Sequence, residues 1–283
     1  MRTRLLLAPG VLFATLFLHR GRNGSTANRM VRVHSSHTWP GPHFIFERVT
    51  TVPDGFAYVH SRGGLGARNL RVRHGFAMSL QPLTSEMYFL LDASDDLEHV
   101  KWEAVLRALA QHDDLLVYGF TYVLWLTFSQ QRMPTEVRQG LQGKRIHFVH
   151  SGGWKKVEAL SVSRDRFDAD LLEGLDPTSR VVDYYGLVEQ VGVVYPLCSA
   201  GYRHVPIWAA VVVRDSATLQ PLVGEPGQLQ LMNPLAWGAP YHSVLTEDLG
   251  RMVEGSCACG RSGPRFELLG RVPKSETRGC ANV

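Results

Sequence analysis

The chain has 283 residues, 45% of them hydrophobic and 20% charged, a globular balance that excludes disordered and fibrous classes. Thirty basic residues against 26 acidic ones leave a net charge of +4, with no dense Lys/Arg block interleaved with aromatics, so a nucleic-acid partner is not expected. Four cysteines in so long a chain do not make a disulfide framework, and a reducing compartment fits them better.

At the N-terminus, Arg2 and Arg4 precede an apolar run from Leu5 to Leu18, the pattern of a secretory leader. Pro9-Gly10 interrupts the run, and His19-Arg20-Gly21-Arg22 follows it where small residues would mark a cleavage site. The run is also shorter than the roughly 18–20 apolar residues of a spanning helix, so no stable membrane insertion is expected. It is read as a buried element or as the remnant of a preceding subdomain, in a cytoplasmic protein.

"NGSTANRM" reads as a polar loop, "HFIFERVTTV" and "GFAYVHS" as short strands, and "SRGGLGAR" as a glycine turn without the G-x-G-x-x-G spacing of a dinucleotide site. "EHVKWEAVLRALAQH" carries Val100, Ala104, Val105, Ala108 and Leu109 near helical spacing. "DLLVYGF" is a continuous apolar run suited to a strand covered on both faces, and "TYVLWLTFSQQ" suits a buried helix. "KRIHFVHSGGWKK" predicts a strand and a Ser-Gly-Gly turn, "SRDRFDADLLEGL" a helix, and "RVVDYYG" a strand and a turn. This alternation predicts an α/β protein, with mostly parallel sheets, flanking helices and ligands at loops beyond the strand carboxyl ends. The last third changes character: "PIWAAVVVRDSATLQPLVGEPGQLQLMNP" predicts a β-hairpin with a long loop, opening a β-rich C-terminal portion.

Four polar turns follow apolar strands: Ser151-Gly152-Gly153, Tyr185-Gly186, Thr246-Glu247-Asp248-Leu249-Gly250 and Gly270-Arg271. Glycines at such turns let backbone amides approach a ligand, and carboxylates there can hold a ribose or a metal. Together with "DYYGLVEQVGVVYPLC", "GEPGQLQLMNPLA", "CACGRSGPRFELLGR" and "RGC", these segments resemble the acyl-protein synthetase, LuxE-type branch of the adenylate-forming superfamily, almost continuously from Lys144 to Cys280.

The resemblance implies a function and a set of roles. Tyr185 would stack on adenine beside Gly186, and Glu189 would help hold Mg²⁺ and the phosphates of ATP, with Val188 standing where the superfamily usually has a threonine. Gly152 and Gly153 would border the adenine and acyl pockets, Asp248 would bind the ribose hydroxyls, and Arg271 would close over the nucleotide. Gly24, Ser25 and Thr26 are the nearest match to the superfamily's phosphate loop, where hydroxyls and free amides cradle phosphate. Cys280 would accept the acyl group as a thioester on a terminal tether, a reaction that thiolate nucleophilicity favours. The implied organisation is a divergent N-terminus over residues 1–30, an AMP-binding core over 31–283 with an acyl-acceptor tail over 272–283, and no mobile lid domain. The implied chemistry is ATP-dependent activation of a fatty acid, feeding a reductase or carrier protein. An acyl- or aryl-CoA ligase and a non-catalytic relative that binds only nucleotide or a partner remain alternatives.

Cys257 and Cys259 form a C-x-C pair. Two thiolates can bind zinc, but a structural site wants four ligands, and neither His204 nor His242 stands at ligand-like spacing from the pair. A glycine-rich turn held by buried thiols is the favoured reading, zinc the less favoured one, and Cys198 beside Pro196-Leu197 is read as core or pocket wall.

Overall fold

The structure, a computed structural model, describes residues 55–61, 86–91, 97, 99–187, 189–190, 193–234 and 241–272. The apolar N-terminus, the Gly24-Ser25-Thr26 loop, the "SRGGLGAR" glycines, Val188 and the tail bearing Cys280 lie outside the described residues. The chain divides into two compact units, and among the described residues the division falls between Asp183 and Tyr184.

The first unit is built on parallel strands. β1 (Gly55–Ser61) pairs in parallel with both β2 (Glu86–Leu91) and β3 (Asp114–Phe120), and β3 pairs in parallel with β4 (Arg145–Ser151). β5 (Arg180–Tyr185) follows β4 in the sheet order. An inner parallel strand is covered on both faces and needs a continuous apolar run. β3 meets that need, since Leu115, Leu116, Val117 and Tyr118 are all buried.

Helices supply the cover. α1 (Trp102–Gln111) buries Val105, Ala108 and Leu109 along one stripe. α2 (Thr121–Phe128) starts directly after β3, is apolar almost all round, and buries Val123, Leu124 and Phe128. α3 (Thr135–Leu141), which the sequence reading did not assign, is a short helix that inserts Val137 and Leu141 into the same core. α4 (Arg164–Leu172) is capped by Ser163, whose hydroxyl accepts from the Arg166 amide at 3.3 Å, and buries Phe167 and Leu171. No helix among the described residues is long and apolar enough to cross a membrane.

The second unit is antiparallel. Its sheet runs β7-β12-β11-β10-β8-β9, formed by β7 (Arg203–His204), β8 (Ala210–Arg214), β9 (Pro221–Leu222), β10 (Gly227–Met232), β11 (Ser243–Val253) and β12 (Arg265–Arg271). The predicted hairpin is present as β8 against β10, with β9 formed inside its loop. β10 alternates buried and half-buried residues, placing Leu229 and Leu231 in a core with Val193, Tyr195, Val213 and Phe266. β6 (Tyr195–Pro196) pairs antiparallel with Tyr184 and Tyr185 at the end of β5.

β11 is irregular at one place. Gln228 pairs with Leu249 and Gln230 with Leu245, so Thr246, Glu247 and Asp248 oppose the single residue Leu229. On its other side, Leu249 pairs with Gly270 but Gly250 with Leu268, so Leu269 is an extra residue on β12. Such bulges bend a strand and re-aim its side chains.

Candidate active site

The bulge in β11 builds the site. Thr246 is buried, its hydroxyl donating to the Leu229 carbonyl at 2.9 Å and accepting from the Asp248 amide at 3.1 Å. That clasp fixes the looped segment and turns Asp248 towards Tyr185, whose hydroxyl donates to Asp248 Oδ2 at 2.8 Å. Directly across the ladder, Arg271 stands opposite Asp248, its Nε 3.7 Å from Asp248 Oδ1 while its guanidinium also pairs with Glu247. The Asp248 side chain keeps about a fifth of its surface exposed, so its carboxylate retains acceptor capacity towards a ligand.

Tyr185 is the hinge of this arrangement. Its ring lies 6.0 Å from Tyr195 and 6.1 Å from Phe266, with the Arg203 guanidinium 6.0 Å from its centroid. Burial, followed by the Asp248 charge and hydrogen bond, pushes its phenol well above the ordinary range, so it acts only as a donor. Gly186 is favoured by close approach, because a Cβ there would sit 3.3 Å from the Val193 carbonyl oxygen and push it by a few tenths of an ångström. The turn after it is pinned by Gln190, fully buried, whose Nε2 donates to the Tyr241 carbonyl at 2.6 Å and whose Oε1 accepts from Asn233 at 2.6 Å. Glu189, half-buried, sits on that turn.

The structure therefore brings together Tyr185, Asp248 and Arg271, with Gly186 next to Tyr185, and places Glu189 in the same second unit. Gly152 and Gly153 belong to the first unit, where they end β4. Gly152 has φ +80°, and its carbonyl accepts from the Thr121 hydroxyl at 2.9 Å, so glycine is dictated there by backbone conformation. A Cβ on Gly153 would meet nothing within 4 Å, so packing does not require that glycine.

Sequence reasoning assigned no role to Thr246, Gln190 or Asn233. Thr246 and Gln190 sit inside the very motifs that nominated Asp248 and Glu189, and a buried polar residue flanking a functional carboxylate is the signal that could have found them.

One reading needs correction. Cys198 and His204 stand beside Cys257 and Cys259, with the four ligand atoms within 4.8 Å of one another. Spacing along the chain could not reveal this, because the β7–β12 ladder pairs His204 with Arg265 and so delivers the histidine to the cysteine loop. Cys198 is buried, but it is a member of this cluster as well as of the core.

The model of the family described as acyl-protein synthetase, LuxE, matches residues 63–283. The chain belongs to that family. Among curated proteins, this LuxE-family chain is 25% identical over 210 residues to a long-chain-fatty-acid–luciferin-component ligase of Aliivibrio fischeri, covering 73% of this chain and 54% of that protein. A Vibrio harveyi protein of the same name is 26% identical over 212 residues, again covering 73% and 54%. The chain thus spans about half the length of the curated relatives it matches. In fold, it is similar to an open conformation of 2-hydroxyisobutyryl-CoA ligase in complex with 2-HIB-AMP and CoA, with TM-score 0.53, 15% identity, and coverage of 89% of this chain and 54% of that one. The postadenylation state of that ligase with R3-HIB-AMP gives TM-score 0.51 at 16% identity, covering 87% and 48%. This LuxE-family chain shares its α/β architecture with that ligase.

Proposed function

We propose that this chain takes part in ATP-dependent activation of a fatty acid and in transfer of the acyl group to a cysteine thioester. The observation that carries this reading is the Tyr185–Asp248–Arg271 constellation, a carboxylate between a phenol donor and a guanidinium, within the residues that the family model matches. Asp248 offers acceptor oxygens to the two ribose hydroxyls, and Tyr185 holds it by donating from below. Arg271, tied to Glu247 and Asp248, supplies positive charge beside the nucleotide. Glu189 is the residue assigned to Mg²⁺ carried with ATP, and Gly24, Ser25 and Thr26 to its phosphates.

In the first step, a carboxylate oxygen of the fatty acid attacks the α-phosphorus of ATP, forming acyl-AMP as the bond to pyrophosphate breaks. The protein's contribution is positioning and charge neutralisation. In the second, the Cys280 thiolate attacks the acyl carbonyl, AMP departs with the electron pair of the broken C–O bond, and a thioester remains. The acyl group then passes to a reductase or a carrier protein in the cytoplasm. The names of the Aliivibrio fischeri and Vibrio harveyi relatives support a long-chain fatty acid as the substrate class.

The test is incubation of the purified chain with ATP, Mg²⁺ and labelled fatty acids. A protein-bound label released by hydroxylamine and missing in Cys280→Ser is the expected result. Acyl-AMP formed without protein labelling would reject the self-acylation step, and no ATP–pyrophosphate exchange with any fatty acid would reject activation itself.

A further inference from the structure

The cysteine cluster lies outside the chemistry just described, and its geometry is that of a coordination site. Two turns of like construction face each other. In Cys198-Ser199-Ala200-Gly201, the Gly201 amide donates to the Cys198 carbonyl at 3.0 Å, and in Cys257-Ala258-Cys259-Gly260, the Gly260 amide donates to the Cys257 carbonyl at 2.9 Å. Both closing glycines have φ +82°, which a residue with a Cβ rarely adopts. Each turn thereby presents sulfur at its start, and the second presents another two residues on.

Two of the separations are those of a tetrahedron. Four ligands around zinc, at about 2.3 Å for sulfur and about 2.0 Å for nitrogen, place sulfurs about 3.8 Å apart and sulfur about 3.5 Å from nitrogen. Here Cys198 Sγ is 3.9 Å from Cys257 Sγ, and Cys259 Sγ is 3.3 Å from His204 Nε2. The three thiols carry no disulfide. The His204 ring is buried with no hydrogen-bond partner on Nδ1, so only its Nε2 side, facing the sulfurs, compensates its burial.

Charge supplies an independent argument. Arg265 is 3% exposed and makes no ion pair with a carboxylate among the described residues. Its guanidinium instead donates to the carbonyls of Glu254, Gly255 and Ser256 at 2.7, 2.6 and 3.1 Å. A buried cation without an anion is costly. Three thiolates and a neutral imidazole around a divalent ion carry a net charge of minus one, which Arg265, at the start of β12 and bound to the loop leading to Cys257, neutralises.

We propose that Cys198, His204, Cys257 and Cys259 form a structural S₃N zinc site that joins the β6–β7 turn to the β11–β12 loop. With four protein ligands there is no open position, so the metal holds the fold and takes no part in the chemistry. The structure it holds is the β11–β12 hairpin, which carries Asp248 and Arg271 away from the cysteine loop.

The test uses the full chain, freed of any affinity tag and purified without chelator. Elemental analysis is expected to find one zinc per chain, lost in the Cys198→Ser/Cys259→Ser double variant. Because those variants can fail to fold, the cobalt-exchanged protein is measured as well. Wild type is expected to show thiolate-to-cobalt charge-transfer bands and tetrahedral d–d bands. His204→Cys is expected to keep one metal and shift the d–d bands as S₃N becomes S₄. Zinc-free protein that takes up no cobalt, a Cys198–Cys257 disulfide in protein prepared under reducing conditions, or d–d bands unmoved by His204→Cys would each overturn the proposal.

Discussion

At the scale of single residues, the Tyr185–Asp248 hydrogen bond sets apart two roles that substitution can separate. Asp248→Ala removes the carboxylate itself, and a lost pair of charge-assisted hydrogen bonds is expected to weaken ATP binding about 10- to 100-fold. Tyr185→Phe keeps the carboxylate and removes only its donor at 2.8 Å. That change is expected to cost about 0.5–1.5 kcal/mol of stability, with a smaller effect on ATP. Calorimetric titration with ATP, beside denaturant unfolding, checks both. Equal loss of affinity in the two variants would mean that Asp248 acts only by supporting Tyr185. The motif residues themselves could be read in the sequence because their backbone needs are local: Gly152 wants a positive φ, and a Cβ on Gly186 would crowd the Val193 carbonyl. The Thr246 clasp and the Gln190–Asn233 bridge could not, because each joins strands brought together only by the fold.

At the scale of elements, the sheet of the second unit is held tightest where glycine lets strands approach. A Cβ on Gly250 would lie 2.6 Å from the Glu267 carbonyl oxygen and 2.6 Å from Leu229 Cδ2. Backbone on one side and core on the other leave nothing to yield, so Gly250→Ala is expected to destabilise by about 1–3 kcal/mol. Urea unfolding is the measurement, and an unchanged midpoint would mean that the hairpin relaxes freely there. The strands and helices themselves were readable from apolar period and turn residues: β3, α2, α4 and the β8–β10 hairpin all sit where their patterns predicted. The antiparallel ladder that carries His204 to the cysteine loop was not readable, since β7 is two residues long and leaves no periodic signal.

At the scale of the whole molecule, pH links buried histidine to stability. Burial, working against the nearby Asp114 charge, holds His147 below its ordinary pKa of 6.5. The unfolded chain takes up that proton as pH falls through 6.5, while the folded chain resists it. Stability is therefore retained above 6.5 and falls as pH drops below it, by up to about 1.4 kcal/mol per pH unit for one proton. His147→Gln is expected to flatten the curve between about pH 7 and about pH 5 relative to wild type, as read by denaturant unfolding at each pH. Identical slopes in the two proteins would assign the acid sensitivity to other groups.

The extra residue in β12 has a consequence that none of its contacts would suggest. Leu269 is 48% exposed and lies between the Leu268–Gly250 and Gly270–Leu249 pairs. Without it β12 would run straight from Leu268 to Gly270 with every partner kept, Gly270 facing Leu249 and Arg271 facing Asp248. What would go is the local bend and twist that a bulge adds, which re-aim the side chains after it. Leu269→Ser should leave ATP binding as it is, whereas deletion of Leu269 should weaken it by turning Arg271 relative to Asp248 without opening the core, a contrast that nucleotide titration and near-ultraviolet circular dichroism read together. At this position the chain is constrained by its count and not by its chemistry.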